Sequence, residues 1–309
     1  MAPSKEIRDL EHLQAEVRRL RAEINARKGR EPRKILELRG ALKRRGLELF
    51  RQNPTRHLLF PAHFPAPRKD RFYELFQKYS FRLFLREILI HKGRFRVADV
   101  VRFSNVETGT RYLRALMDLE LVEPVARHGY RLRHPPPPSL GPTLEWFLAE
   151  VLRREFFCPV FYGLRCKGTQ SGGDYDVVAL VEGWLAYIEV KSSPPKNIEG
   201  GEIQAFLTRL QDLLPQMAFF FVDTELRLRD KIIPLFETEL YARGLFPQRD
   251  YPAVEKIGDE IFLIPPRIYV LNSKRSIAKN IAACFRHSFD HRSVGEGGPP
   301  GAGGAKEKE

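Results

Sequence analysis

Three charged side chains set into an apolar stretch hold the chemistry this sequence can do: Asp176, Glu189 and Lys191. Two runs rich in apolar and β-branched residues, 173–180 and 185–193, flank a short segment, 181–184, containing Gly183, which is how an antiparallel hairpin is written. Glu189 and Lys191 are two apart on the second strand, so both leave by the same face, and Val190 points to the other. The hairpin can fold Asp176 back beside Glu189. Two carboxylates and an ammonium then converge at one edge of a strand pair. Carboxylates with water are the ligand set Mg²⁺ prefers. A neighbouring lysine can orient a hydroxide and offset charge building on a phosphate. A plainer reading makes Glu189 and Lys191 an exposed pair on an edge strand and Asp176 a turn residue. Against it, the only charges from Val177 to Val190 are Glu182 and Glu189, whereas a solvated face alternates polar residues more freely.

These residues resemble the active-site signature of the PD-(D/E)XK nuclease superfamily, the fold of many restriction enzymes and archaeal Holliday-junction resolvases. Asp176 falls on the motif's Asp, and Glu189-Val190-Lys191 on its E-x-K. The resemblance runs from about Thr143 to Asp223. It departs at Tyr175, where the motif's name has proline. It implies that Asp176, Glu189 and Lys191 are catalytic, that Asp176 and Glu189 hold Mg²⁺ (or Mn²⁺), and that a glutamate on the first helix reaches the metal. Glu145 matches that place, with Glu150 as fallback; a favourable charge at the helix N-terminus explains Glu145 equally well. Gln204 stands where related nucleases sometimes use a glutamine. Asp174, on the strand face of Asp176, is a second ligand or a decoy.

The elements around these residues read in the same order. Thr143 is expected to cap a helix to about Glu155. Residues 157–165 form a strand, and residues 167–173 a mobile loop beside the site. After the hairpin come a helix over 202–214 and an apolar strand over 218–222. The resulting α-β-β-β-α-β order is the common core of the resembled superfamily. Further on, 231–243 is helical, 254–264 a hairpin, 267–271 a strand and 276–289 a helix. The expected fold class is α/β (α+β).

Ahead of this core the composition changes. Residues 1–134 carry 31 Lys+Arg against 16 Asp+Glu, a net of +15, while residues 135–309 carry 21 against 23, a net of −2. The basic excess lies outside the candidate catalytic region, a pattern that suits a nucleic-acid-binding front end. Within residues 5–30, Leu10, Val17 and Ile24 repeat at seven with Leu13 and Leu20 between them. Two readings fit, a short coiled coil that pairs two copies into a homodimer, or an amphipathic helix packed on its own protein. A basic helix is expected over 32–51. Residues 53–70 contain Pro54, Pro61, Pro65 and Pro67 and read as a linker.

Residues 71–133 read as helices over 72–91, 97–103 and 107–119, followed by a hairpin through Arg127-His128-Gly129. That layout looks like a winged helix-turn-helix, whose third helix enters the major groove. Its outward residues are Glu107, Thr108, Thr110, Arg111 and Arg114, with Arg127 and His128 on the wing. A winged helix that mediates protein contacts is the alternative. His134 and four prolines then form a stiff linker. The expected organisation is 1–52 helical, 53–70 linker, 71–134 winged helix, 135–142 linker, 143–292 nuclease-like, and 293–309 a disordered tail.

Other chemistries find no footing. No G-x-x-x-x-G-K, G-x-S-x-G or G-x-G-x-x-G occurs. Three cysteines without a close pair argue against a disulfide framework and against zinc. No apolar run approaches the roughly 20 residues of a membrane helix, and the first residues are no signal peptide. A cytoplasmic, DNA-directed, Mg²⁺-dependent endonuclease is the expectation. A catalytically silent DNA-binding or regulatory protein on the same frame is the alternative, and an RNA substrate stays open.

Overall fold

The computed structural model describes residue 16 and residues 32–126, 129–244 and 254–295. Apart from residue 16, the expected coiled coil lies outside the described residues. So do Arg127, His128 and the tail beyond Gly295.

The fold is mixed α/β, with an eight-stranded mixed sheet and a separate three-stranded one. The large sheet is built on the hairpin of β6 (Asp174–Val181) and β7 (Trp184–Lys191). Its two-residue turn, Glu182 and Gly183, has positive φ at both positions (49° and 79°), the twist that lets two strands close directly from Val181 to Trp184. Antiparallel to β6 runs β5 (Val160–Lys167), and outside that β1 (Glu48–Arg51). On the other side β8 (Met217–Val222) lies parallel to β7 and also parallel to β11 (Ile268–Asn272). β10 (Ile261–Ile264) and β9 (Glu255–Gly258) complete the order β1-β5-β6-β7-β8-β11-β10-β9. β8 and β11 sit in the middle and are buried along their whole length. They therefore read as apolar runs rather than alternations.

Helices cover both faces. α6 (Gly141–Glu155) and α9 (Ile277–Gly295) pack on one face; α1 (Arg33–Lys43), α7 (Gly200–Leu213) and α8 (Ile232–Ala242) pack on the other. The first of these cores does not stop at the sheet. It continues into α2 (Ala66–Phe76) and α3 (Tyr79–Ile90), where Phe76 meets Phe147 at 5.0 Å and Phe72 meets Trp146 at 5.9 Å. α4 (Val97–Val100) and α5 (Val106–Asp118) follow, with a small sheet of β2 (Arg94–Phe95), β4 (Gly129–Leu132) and β3 (Val122–Val125) in the order β2-β4-β3. The helical unit and the large sheet thus share one apolar interior. Among the described residues no helix is long and apolar enough to cross a membrane.

Several sequence expectations are corrected. The helix expected over 32–51 ends at Lys43; Gly46, at φ 76°, turns the chain into β1. The stretch 53–70 is no free linker, because Leu58, Leu59, Phe60 and Phe64 are buried and α2 begins at Ala66. The helix expected over 72–91 is two helices that break at Gln77-Lys78. α6 starts at Gly141, so Thr143 is no cap; its hydroxyl accepts the Leu59 N–H at 3.1 Å. The last helix runs on to Gly295, through the first residues of the expected tail.

Candidate functional site

Strands β6 and β7 pair from Val181 to Val177, whose partner is Ile188, and the ladder ends there. One residue further on, the Asp176 side chain takes over the acceptor's role: its Oδ2 receives the Val190 N–H at 2.7 Å. A carboxylate is thereby fixed in the plane of the sheet at the point where the strands part. Among the described residues no hydrogen bond reaches its other oxygen.

Glu189 and Lys191 leave the same face of β7, as their spacing requires, and meet at 3.0 Å. Glu189 is buried and crowded. It accepts from the Tyr187 hydroxyl, and from Arg209 Nη1 at 3.1 and 3.2 Å. Lys191 also reaches Glu202 Oε1 at 3.2 Å, and Glu202 in turn closes the capping box of α7 by accepting the Glu199 N–H at 3.0 Å. Burial alone would lower the Lys191 pKa, but the charges and hydrogen bonds of Glu189 and Glu202 outweigh it and raise the value. Lys191 is therefore a held ammonium, not a base.

Glu145 approaches from α6. Burial and the Glu189 charge push its pKa up to about 7, with Arg51 acting in the opposite sense. Asp176 is raised well above the usual carboxylate range, first by burial and then by Glu189 and Glu145. Each carboxyl feels its neighbours, so three acids share one locality, and among the described residues two of them lack a cationic hydrogen-bond partner. Gly163 makes room here. At φ 53°, a Cβ on it would come within 2.7 Å of Pro54 and 3.5 Å of Glu145 Oε2.

The remaining expected residues are placed as follows. Asp174 is exposed and paired with Arg165 at 2.5 Å, while its carbonyl accepts from Arg209 Nε at 2.8 Å. Gln204 is exposed on α7 and its carbonyl bonds Arg243. At about 100° per residue it sits roughly opposite Glu202 and Arg209, which share a face. Glu150 is occupied by Arg153 and Arg154. The loop expected to be mobile is anchored, since Asp212 on α7 accepts the Gln170 and Ser171 N–H groups at 3.0 and 2.9 Å. On α5, Arg111 and Arg114 are exposed; Thr110 donates to the Val106 carbonyl, and Thr108 Oγ1 receives Arg111 at 3.2 Å.

Sequence reading missed Tyr187, Glu202 and Arg209. Tyr187 is two residues before Glu189, a face relationship legible in the strand alternation. Glu202 and Arg209 are seven apart on one helix, a spacing that marks a shared face without saying what the face meets.

The donors fit a hard divalent cation. Among the described residues no three His, Cys, Asp or Glu side chains form a ready-made ion cage. Magnesium, however, is held by one or two carboxylates, with water and substrate phosphate completing the shell. The free oxygen of Asp176 and the Glu145 carboxylate, which among the described residues takes no hydrogen bond, are such donors, both raised first by burial and then by the Glu189 charge.

No protein-family model and no curated protein sequence matches the chain. Two solved structures align with part of the chain. Protein VC1899 from Vibrio cholerae aligns with a TM-score of 0.42 and 12% identity over 75% of this chain and 58% of that one. Can2 from Sulfobacillus thermosulfidooxidans, in complex with cyclic tetra-adenylate, aligns with a TM-score of 0.40 and 14% identity over 67% of this chain and 59% of that one. The chain spans less than two thirds of either protein's length. The chemistry of the site rests on its own geometry.

Proposed function

We propose that the protein is a metal-dependent endonuclease that hydrolyses phosphodiester bonds in DNA, on a PD-(D/E)XK-type core joined to a winged helix. The observation that carries this reading is the convergence of Asp176, Glu189 and Glu145 on one locality with the Lys191 ammonium beside them. Asp176, Glu189 and Glu145 are the residues that would hold Mg²⁺ or Mn²⁺. The ion, when bound, supplies Lewis-acid charge to a phosphate oxygen and acidifies water. Lys191, kept charged between Glu189 and Glu202, orients the nucleophile and offsets the charge that develops on the phosphate. Val190 fixes the Asp176 carboxylate through its N–H, so that ligand is set before substrate arrives. The order β2-β4-β3 with α3, α4 and α5 supports the winged-helix reading, in which Arg111 and Arg114 meet DNA. A homodimer through residues 5–30 would let two sites address two strands.

One observation favours a second reading, a DNA-binding protein on a silent nuclease frame: Glu189 is already satisfied by Tyr187, Lys191 and Arg209. Cleavage of plasmid, single-stranded, branched and RNA substrates with Mg²⁺ or Mn²⁺ separates the two. Metal-dependent nicking that is lost in Asp176→Ala and in Lys191→Ala supports the nuclease. Salt-sensitive binding without cleavage under either metal supports the silent frame, and binding should then fall in Arg111→Ala plus Arg114→Ala.

A further inference from the structure

Beside the carboxylates a row of charge crosses three strands. Arg51 on β1 stands directly opposite Arg165 on β5, and Arg165 directly opposite Asp174 on β6. Like charges facing each other across a ladder are unfavourable. The β1 register shifts between Leu49 and Arg51, and a shift of this kind re-aims a side chain, which sets Arg51 opposite Arg165. The strand end is then pinned by Asn53, whose N–H reaches the Tyr162 carbonyl at 2.8 Å and whose Oδ1 accepts the Tyr162 N–H at 3.0 Å.

Among the described residues Asp174 is the one carboxylate within ion-pair distance of both guanidinium groups. Arg165 Nε and Arg51 Nη2 both address Asp174 Oδ1, at 2.5 and 3.8 Å. The trio keeps one positive charge in excess. The side chains are 44%, 45% and 53% exposed for Arg51, Arg165 and Asp174, so an anion in solution can reach them. The row is also tied to the candidate site. Arg209 holds the Asp174 carbonyl with Nε and Glu189 with Nη1. Asp174 is two residues from Asp176 on the same strand, roughly 7 Å along it.

We propose that Arg51 and Arg165 form a phosphate-binding pair that holds a backbone phosphate of the substrate strand beside the one at the carboxylates. Asp174 is its counter-charge when no substrate is bound. The placement beside a scissile phosphate rests on the nuclease reading; the phosphate-binding pair itself does not. Incoming phosphate takes the fork-shaped donors of both arginines, and each such contact releases counterions from the polyanion.

The test is binding of a labelled DNA duplex and a labelled single strand by the full chain, in metal-free buffer, from 50 to 200 mM salt. Arg51→Ala plus Arg165→Ala should lower the slope of log K against log salt by about 1.4 to 1.8, roughly 0.7–0.9 for each lost contact, and weaken binding at least about 10-fold at the lower salt. Arg51→Lys plus Arg165→Lys should keep most of the slope. Asp174→Asn should bind more tightly than the wild type, which the loss of a merely structural ion pair would not produce. A wild-type slope in the double alanine variant overturns the pair. Weakened binding in Asp174→Asn, or no salt-dependent binding by the wild type, overturns it too. If the double variant melts early, Asp174→Asn and Arg165→Ala decide. Failure of the wild type to cleave any substrate sinks the nuclease reading alone, because the binding slopes still judge the pair.

Discussion

Arg82 and Asp223 form an ion pair that solvent does not reach. Arg82 Nε and Nη2 lie 2.9 Å from Asp223 Oδ1, and the side chains are 1% and 0% exposed. Arg82 comes from α3 in the helical unit, Asp223 from the end of β8, where its N–H bonds the Lys191 carbonyl at 2.8 Å. Arg82 also donates to the Phe76 and Gln77 carbonyls at the break between α2 and α3. Arg86 and Ser273 complete the shell around the carboxylate. The contact therefore fastens the helical unit to the strand end that carries the lysine.

Removing one partner of such a pair strands a buried charge. Arg82→Ala should cost about 3–5 kcal/mol in urea unfolding. Burial alone would raise the Asp223 pKa, but Arg82, Arg86 and Ser273 hold it below the ordinary value. A depressed carboxylate stabilises the fold at pH above its unfolded pKa, and that stabilisation is lost as pH falls through the folded value. The variant should therefore lose stability mainly at neutral pH and converge on the wild type in strong acid. An equal loss at every pH would show that the ion pair is not the cause.

Much of the site was legible because it is local. Apolar alternation, the Glu182-Gly183 turn and a two-residue spacing suffice to bring Glu189 and Lys191 together. What failed depends on distant partners. Nothing near Arg209 says that it will meet Glu189, twenty residues away. Glu48–Arg51 is a four-residue strand inside a basic run, and it exists because β5 has an open edge to pair with; Gly46 was the one local sign of the turn. The prolines of 53–70 signal breaks in the sequence, yet Pro65 and Pro67 sit where a helix begins and accepts them. Phe60 and Phe64 stack on each other, and the distant partners that bury Phe60 (Phe72 and Trp146) are not announced by the local sequence.

The crowded carboxyls give a second pH dependence of opposite sign. Folded Glu145 keeps its proton to about 7, whereas an unfolded glutamate releases it near ~4.3. Between those values the folded chain binds the additional proton, so stability declines as pH rises through the window. In EDTA the melting midpoint should fall from about pH 4.5 to 7, and Glu145→Gln should flatten that fall. Mg²⁺ or Mn²⁺ should raise the midpoint most at the upper end of the window, where the carboxylates are ionised. A midpoint indifferent to both ions at pH 8 would mean that no divalent cation is held there.

Gly163→Ala tests the packing behind Glu145. Its φ of 53° is strained for alanine, and the added Cβ would lie 2.7 and 2.8 Å from two carbons of the Pro54 ring. Rings do not bend away, so the 53–54 segment or the strand must move. A loss of at least about 1–2 kcal/mol is expected. Unchanged stability would show that the segment yields freely.

Glu202 is a positioning residue, acting on Lys191 rather than on substrate. It supplies one of the two negative charges that keep the lysine protonated against its burial. In Glu202→Gln that charge is gone while the burial remains, so the lysine should lose its proton at lower pH. For the proposed nuclease this moves the alkaline limb of the pH–rate profile downward, with a modest loss at neutral pH. Lys191→Ala, which removes the ammonium itself, should cost on the order of 10²–10³ in kcat at every pH. Glu202→Asp should restore the limb only in so far as the shorter side chain still reaches Nζ. A Glu202→Gln profile that falls uniformly, with its alkaline limb unmoved, would mean that Glu202 serves the α7 cap alone.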